Sequence, residues 1–289
     1  MNAKRFSILI MLLGLLLIGI MPVLAQENLD IVAYTDNYLK NELPQGWGIV
    51  TVEDLSLELL ENPPFLVDVR EVSEVEETGY IAGAINIPVR ELAANLDKLP
   101  SDLDANIVVY CKSGTRGTIG MVALQLLGYT HVRNMAGGIM AWMGAEYEVV
   151  TDPMEVMSGE PAAIDPDLVA RVDGFLKTGV PQGWGMVKTE DLSLELLENP
   201  PFLLDVRQPE ELVDLGYIEG AVNVPVRELA SNLDKLPADK DAPIVVYCKS
   251  GTRGTIGMLA LQFMGYTNVR NLSGGIVGWI DAGYPVVTG

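Results

Sequence analysis

The stretch IVVYCKSGTRGTIGM occurs twice in this 289-residue chain, at residues 107–121 and again at residues 244–258. Each copy contains one of the two cysteines, Cys111 and Cys248. A short run that is apolar throughout leads into each cysteine, which is typical of a strand covered on both faces. The glycines and the helical pattern that follow predict a tight loop and then a helix.

The two copies belong to a repeat that covers most of the chain. Residues 44–149 align without a gap with residues 181–286, and 76 of these 106 positions are identical. A unit of this size is a whole domain rather than a solenoid repeat. We therefore predict one domain at residues 26–151 and a second at residues 167–289, joined by a proline-containing linker at residues 152–166.

Short β-rich runs alternate with helical segments inside each unit. The strands predicted in the first unit are residues 65–69, 84–89, 107–111 and 131–135, and the predicted helices are residues 53–62, 90–99, 117–128 and 137–142. This alternation predicts an α/β fold in which each domain is a parallel β-sheet flanked by helices. Residues 71–78 and 208–215 differ most between the copies, and we interpret them as an exposed acidic helix or loop where substitution costs little.

The chemistry is expected in the loop that begins at each cysteine. In parallel sheets, ligands bind beyond the carboxyl ends of the strands, where loops lead into helices. Backbone N–H groups, a helix N-terminus and nearby cations all favour a thiolate over a thiol. We predict that both cysteines are nucleophiles cradled by their own loops, which consist of Lys112, Ser113, Gly114, Thr115 and Arg116 in the first unit and of Lys249, Ser250, Gly251, Thr252 and Arg253 in the second. The alternative, a small buried hydrophobe, does not explain why cations and glycines cluster there.

The spacing between cysteine and arginine separates two chemistries. Cys111 and Arg116 form the pattern C-x4-R, whereas the similar loop of cysteine-dependent tyrosine phosphatases is C-x5-R. The shorter loop makes a tighter ring of N–H donors, which suits the one additional sulfur atom of a persulfide better than a phosphoryl group. Sulfur transfer is therefore favoured, and a phosphatase or arsenate reductase is the enzymatic alternative.

Four ordered motifs in each unit resemble the rhodanese (thiosulfate:acceptor sulfurtransferase) homology domain. In the first unit they are DVR at 68–70, GYIAGAINIPVREL at 79–92, VVYCKSGTRG at 108–117 and GYTHVRNMAGGIMAW at 128–142. The resemblance implies two tandem rhodanese-like domains and a ping-pong cycle without a cofactor. In that cycle each cysteine takes sulfane sulfur from a donor such as thiosulfate, forms a persulfide and passes the sulfur to a thiol or cyanide. It also implies that the loop arginines bind the anionic donor.

Other conspicuous residues are interpreted as structural. Asp68 and Arg70, like their counterparts Asp205 and Arg207, flank a buried strand and predict a buried or half-buried ion pair. The four tryptophans are interpreted as packing anchors, and the single histidine predicts no metal site. Tyr80 stands where the family commonly has histidine, a position that we also interpret as structural. A disulfide would need the two equivalent strand ends to lie within about 7 Å between Cα atoms, so two free thiols are favoured.

The N-terminus and the overall charge indicate where the protein works. Lys4 and Arg5 precede an apolar run, and Ala25 offers a cleavage site, so residues 1–25 are predicted to be a signal peptide of an exported protein (periplasmic, extracellular or at the cell surface). An uncleaved anchor, which would be the only contact with a membrane, is the alternative. The net charge of −20 argues against nucleic acid as a partner. The expected partners are a small sulfur-containing anion and a thiol-type acceptor, and the non-enzymatic alternative is a sulfur carrier for one protein partner.

Overall fold

A computed structural model of the chain describes residues 29–154 and 158–288. The predicted signal peptide lies outside these described residues. Within them, no helix combines the length and the apolar character needed to cross a membrane.

Each half of the chain forms a five-stranded, fully parallel sheet, which confirms the predicted α/β fold. The strand order is β1-β5-β4-β2-β3 in the first half and β6-β10-β9-β7-β8 in the second. The strands are β1 (Ile49–Val50), β2 (Phe65–Asp68), β3 (Ile85–Asn86), β4 (Ile107–Tyr110), β5 (Val132–Met135), β6 (Met186–Val187), β7 (Phe202–Asp205), β8 (Val222–Asn223), β9 (Ile244–Tyr247) and β10 (Val269–Leu272). All residues of the central strands β4 and β9 are buried, as the continuous apolar runs predict.

Helices cover both faces of each sheet. They are α1 (Ile31–Asn37), α2 (Val52–Glu61), α3 (Val72–Thr78), α4 (Thr115–Leu126), α5 (Gly138–Gly144), α6 (Pro166–Gly174), α7 (Thr189–Glu198), α8 (Pro209–Leu215), α9 (Thr252–Phe263) and α10 (Gly275–Asp281). A π-helical turn follows α1 at Tyr38–Glu42, and another follows α6 at Phe175–Gly179. Because α4 and α9 begin within the cysteine loops, these two helices set the position of the loops in the fold.

Two segments differ from the sequence-based prediction. The helix predicted at residues 90–99 is 3₁₀-helical over Val89–Lys98 and is broken at Asn95. The Asn95 side chain donates a hydrogen bond to the Glu91 carbonyl (2.8 Å) and so competes with the regular helical pattern. The strand predicted at residues 84–89 is reduced to two residues, and the edge strand β1, which is equally short, was not predicted.

The two domains share one apolar core. It contains buried side chains from both halves, among them Met121 on α4 and Met258 on α9, while two smaller cores lie on the opposite faces of the two sheets. Helices α4 and α9 pack against each other, and α1 packs against the 3₁₀ segment Val226–Lys235 of the second domain. A continuous apolar interface of this kind holds the two cysteine loops in a defined relation to each other.

Candidate active site

Each cysteine lies at the carboxyl end of the central strand of its sheet. Cys111 follows β4 directly, and Gly114 turns the chain into α4 with a φ of 109°, a conformation that favours glycine. The Gly114 N–H donates a hydrogen bond to Cys111 Sγ at 3.2 Å. In the second domain the Gly251 N–H makes the same 3.2 Å bond to Cys248 Sγ. An N–H group makes a stronger hydrogen bond to an anionic acceptor than to a neutral one.

A second helix holds the loop from one side. The N–H groups of Ile139 and Met140 in the first turn of α5 donate to the carbonyls of Cys111 (2.7 Å) and Lys112 (3.1 Å). Gly138 has a φ of +59°, and a Cβ atom there would lie 2.3 Å from the Cys111 carbonyl oxygen. Only glycine allows this close approach, which explains the second of the paired glycines that open α5.

Asn134 on the neighbouring strand β5 holds the loop from behind. Its Nδ2 donates to the Gly114 carbonyl (3.1 Å) and to Thr118 Oγ1 (3.0 Å). Its counterpart Asn271 makes the equivalent bonds to the second loop at 3.0 and 2.9 Å. Both asparagines are almost fully buried. Sequence reasoning did not single them out, although both copies contain the triplet VRN that places them.

The loop arginine is engaged by a carboxylate that the sequence analysis also missed. Arg116 donates from both terminal nitrogens to Glu74 on α3, with Nη2 at 2.7 Å from Oε1. The hydrogen bond that Arg116 donates to Glu74 raises the pKa of Arg116 despite its burial, and negative charge at Cys111 raises it further. The same bond lowers the pKa of Glu74. Arg253 and Glu211 repeat the arrangement in the second domain.

This ion pair changes the interpretation of the acidic segment at residues 71–78. We predicted that substitution there costs little, but Glu74 and Glu211 hold the loop arginines and are the exceptions. The segments EVSEVEET and QPEELVDL are identical at one position only, and that position is Glu74 and Glu211. Its retention within a divergent stretch was the signal that could have identified it.

The remaining loop residues differ in their exposure. The cysteines are free and only 1% exposed, whereas Lys112 and Ser113, like Lys249 and Ser250, are exposed. Thr115 and Thr252 are half-buried. A cavity of about 420 Å³ is lined by residues of both loops, including Ser113, Thr115, Ser250 and Thr252. The two loops therefore border one shared space between the domains.

The predicted structural residues lie beside the site without entering it. Arg70 Nε donates to both oxygens of Asp68 at 2.9 Å, and both side chains are buried, which confirms the predicted ion pair. Burial works against the charge on Arg70, but the Asp68 carboxylate outweighs it and raises the pKa of Arg70. Trp142 is buried and donates from Nε1 to the Glu148 carbonyl (2.9 Å), as a packing anchor does. Over residues 29–154 and 158–288, no cluster of ligating side chains suitable for a metal ion is found.

The fold and the loops together define a tandem α/β protein with a cysteine site in each half. A family model described as "Rhodanese-like domain" matches residues 51–145 and 189–282. The chain belongs to this family of sulfurtransferases, which confirms the resemblance seen in the sequence.

Several individual relatives are named as sulfurtransferases. A "Sulfurtransferase" of Allochromatium vinosum is 35% identical over 102 residues, which are 35% of this chain and 92% of that protein. A "Thiosulfate sulfurtransferase" of Corynebacterium glutamicum is 28% identical and aligns over 80% of this chain and 87% of its own. A "3-mercaptopyruvate sulfurtransferase" of Escherichia coli is 24% identical over 73% of this chain and 83% of its own. Among solved structures, the E. coli 3-mercaptopyruvate sulfotransferase is similar at 21% identity over 79% of this chain and 98% of that one, with a TM-score of 0.39.

Proposed function

We propose that this protein moves sulfane sulfur from thiosulfate or a related persulfide donor to a thiol or cyanide acceptor, and that Cys111 and Cys248 each carry the sulfur as a persulfide. The observation that supports this most directly is the N–H of Gly114 or Gly251 on the cysteine sulfur at 3.2 Å in both halves. We expect the first-turn N–H groups of α4 and α9, which have no partner within their helices, to serve as further donors to the outer sulfur of the persulfide.

The reaction needs no group beyond the two substrates. The cysteine thiolate attacks the sulfane sulfur of thiosulfate, and the bond between the two thiosulfate sulfurs breaks. Sulfite leaves with the electron pair, and a cysteine persulfide remains. The acceptor then attacks the outer sulfur, the persulfide bond breaks, and the thiolate is regenerated. Cyanide becomes thiocyanate, and a thiol loses its proton and becomes a persulfide.

The loop cations have different roles in this proposal. Lys112 and Lys249 are exposed and are available to attract an anionic donor. Both terminal nitrogens of Arg116 already donate to Glu74, so this arginine contributes its charge more than free hydrogen bonds. Arg253 has the same position beside Glu211. We further propose that the protein is exported by its N-terminal segment.

Intact mass spectrometry after incubation with thiosulfate tests the proposal. We expect two gains of about 32 Da on the wild type, one on Cys111→Ser and one on Cys248→Ser, and none on the double variant. Sulfite release should match the sulfur gained. A wild type that gains no sulfur from thiosulfate or from 3-mercaptopyruvate, the donors that its relatives are named for, would contradict the proposal.

Two alternatives are distinguished by the gain of mass together with a turnover assay and a phosphatase assay. A sulfur carrier would form the persulfide but would not turn over with cyanide or a small thiol, and would release sulfur only to a protein partner. A phosphatase would hydrolyse p-nitrophenyl phosphate and would show no gain of sulfur. The length of the C-x4-R loop disfavours the phosphatase.

A further inference from the structure

One repeated loop has an unusual backbone conformation. Residues 44–48 and 181–185 both read PQGWG. Trp47 and Trp184 have φ angles of 66° and 63°, in the left-handed region that bulky residues rarely adopt. Such strain persists only where surrounding structure enforces it, and it concentrates at functional sites.

The two tryptophan rings cross from one domain to the other. The Trp184 ring lies under the guanidinium carbon of Arg116, the loop arginine of the first domain, at 5.5 Å from the ring centroid. Trp47 of the first domain lies in the same way against Arg253 of the second, at 5.3 Å. Both distances are within the range of a cation–π contact. Each cysteine loop is therefore in contact with a side chain from the other half of the chain.

A second arginine fixes each tryptophan loop in this position. Arg90 of the first domain lies 4.9 Å from the Trp184 ring centroid and donates hydrogen bonds to the carbonyls of Leu176 (2.8 Å) and Val180 (3.1 Å). Arg227 does the same for Trp47, at 5.1 Å, with bonds of 3.0 Å to the carbonyls of Leu39 and Pro44. These bonds join the domains at the base of each loop.

The tryptophan ring shields the guanidinium of the loop arginine from water. Arg116 contacts both Glu74 and the Trp184 ring, and only 8% of its surface is exposed. A guanidinium shielded from water acts on a neighbouring thiolate through a lower dielectric than a solvated one would. The strength with which the Arg116 charge acts on Cys111 therefore depends on the Trp184 ring.

We propose that Trp47 and Trp184 are cross-domain positioning residues, so that Trp184 holds Arg116 for Cys111 and Trp47 holds Arg253 for Cys248. Each domain would then supply a tryptophan to the cysteine site of the other. Without the opposite domain, the loop arginine would act on its cysteine less strongly. The functional meaning of this role rests on the proposed sulfur transfer. The contact between each tryptophan and the opposite loop arginine can be tested without any sulfur donor.

The test compares alkylation of each cysteine by anionic iodoacetate and by neutral iodoacetamide in the full-length protein. Rates are measured separately for the Cys111 and Cys248 peptides by mass spectrometry at one pH and low salt. The ratio of the alkylation rate with iodoacetate to the rate with iodoacetamide reports the positive charge near each thiol. Loosened packing alone would not change this ratio. We expect Trp184→Leu to lower the ratio roughly two- to fivefold at Cys111 and to leave Cys248 unchanged. Trp47→Leu should give the reverse pattern.

The two tryptophans are matched controls for each other, because their loops have the same sequence and the same backbone conformation. Trp184→Phe keeps an aromatic face and should restore most of the ratio. Should Trp184→Leu fail to fold by circular dichroism, Trp184→Asn replaces it, since asparagine tolerates the left-handed conformation.

Several outcomes would overturn the inference. They are an effect on the cysteine of the tryptophan's own domain, an equal effect on both cysteines, no effect on either, and a wild type whose thiols resist both reagents. A crossed effect in a protein that gains no sulfur from any donor would preserve this inference while contradicting the proposed function. A protein that forms both persulfides without a crossed effect would do the opposite.

Discussion

The two halves of the molecule differ around their cysteine loops while the loops themselves are the same. In both, a glycine N–H donates to sulfur at 3.2 Å and a glutamate holds the loop arginine. Farther from the cysteine, a hydrogen-bond partner of the buried arginine differs between the halves. Arg70 donates to the Thr78 hydroxyl at 2.7 Å, but Leu215 stands in the place of Thr78 in the second half. The comparison teaches that the loop geometry needs the short-range hydrogen bonds and the glutamate, and tolerates change in the supports farther away.

The largest expected effect comes from the buried ion pairs beneath the loops. Asp68→Asn and Asp205→Asn each leave a buried guanidinium without its counter-charge, which should cost about 3–5 kcal/mol of unfolding free energy. Arg70 keeps a hydrogen bond to the Thr78 hydroxyl when Asp68 is changed, whereas Arg207 has no such partner. We therefore expect Asp205→Asn to cost about 1 kcal/mol more unfolding free energy than Asp68→Asn. Hydrogen exchange of the β4 and β9 amides measures the two domains separately.

Lys177→Gln is the control for this experiment. It removes the exposed ion pair between Lys177 and Asp173 and should cost less than about 1 kcal/mol. Equal losses from the two aspartate variants would show that the Thr78 hydroxyl contributes nothing to the support of Arg70.

A smaller effect is expected from the glutamates that hold the loop arginines, and it should depend on pH. Hydrogen bonds from the arginines lower the pKa of Glu74 and Glu211 below the ordinary value of 4.5. Their stabilising contribution is therefore complete above pH 4.5 and is lost as the pH falls through the lowered pKa. Because both carboxylates are partly exposed, each should contribute about 1 kcal/mol or less.

Glu74→Gln tests this contribution in one domain at a time. Hydrogen exchange of β4 should become less sensitive to pH below about 4.5, while β9 keeps the wild-type dependence, and Glu211→Gln should show the reverse. If hydrogen exchange of the β4 amides in Glu74→Gln kept the wild-type dependence on pH, the assigned role of the ion pair would be contradicted.

The last expected effect, of similar size, concerns the helix that follows the first strand of each domain. Thr51 caps α2, and its hydroxyl oxygen accepts a bond from the Asp54 N–H at 3.1 Å, whereas Lys188 at the start of α7 makes no such bond. We expect Lys188→Thr to stabilise the second domain, and Thr51→Ala to destabilise the first, by about 1 kcal/mol each. Thermal unfolding of each variant measures the change, and a destabilising Lys188→Thr would refute the capping argument.

The sequence predicted most of the architecture but fewer of the contacts that build the site. Apolar runs and glycine punctuation placed the longer strands and the cysteine loops, because these features depend on neighbouring residues. The two-residue strands β1 and β6 were missed, since such short edges carry almost no periodic signal. The break in the 3₁₀ segment at Asn95 was missed as well, because a single side chain competing with the backbone leaves the apolar pattern of the segment intact.

Local sequence determined the strand, the turn at Gly114 and the helix that carries Cys111, because φ and ψ preferences and apolar periodicity act over a few residues. Only the tertiary structure decided what holds the loop arginine. Glu74 lies 42 residues from Arg116 along the chain, and Trp184 belongs to the other domain. Such partners are chosen by the way the sheets and helices pack, and no pattern within the loop itself encodes them.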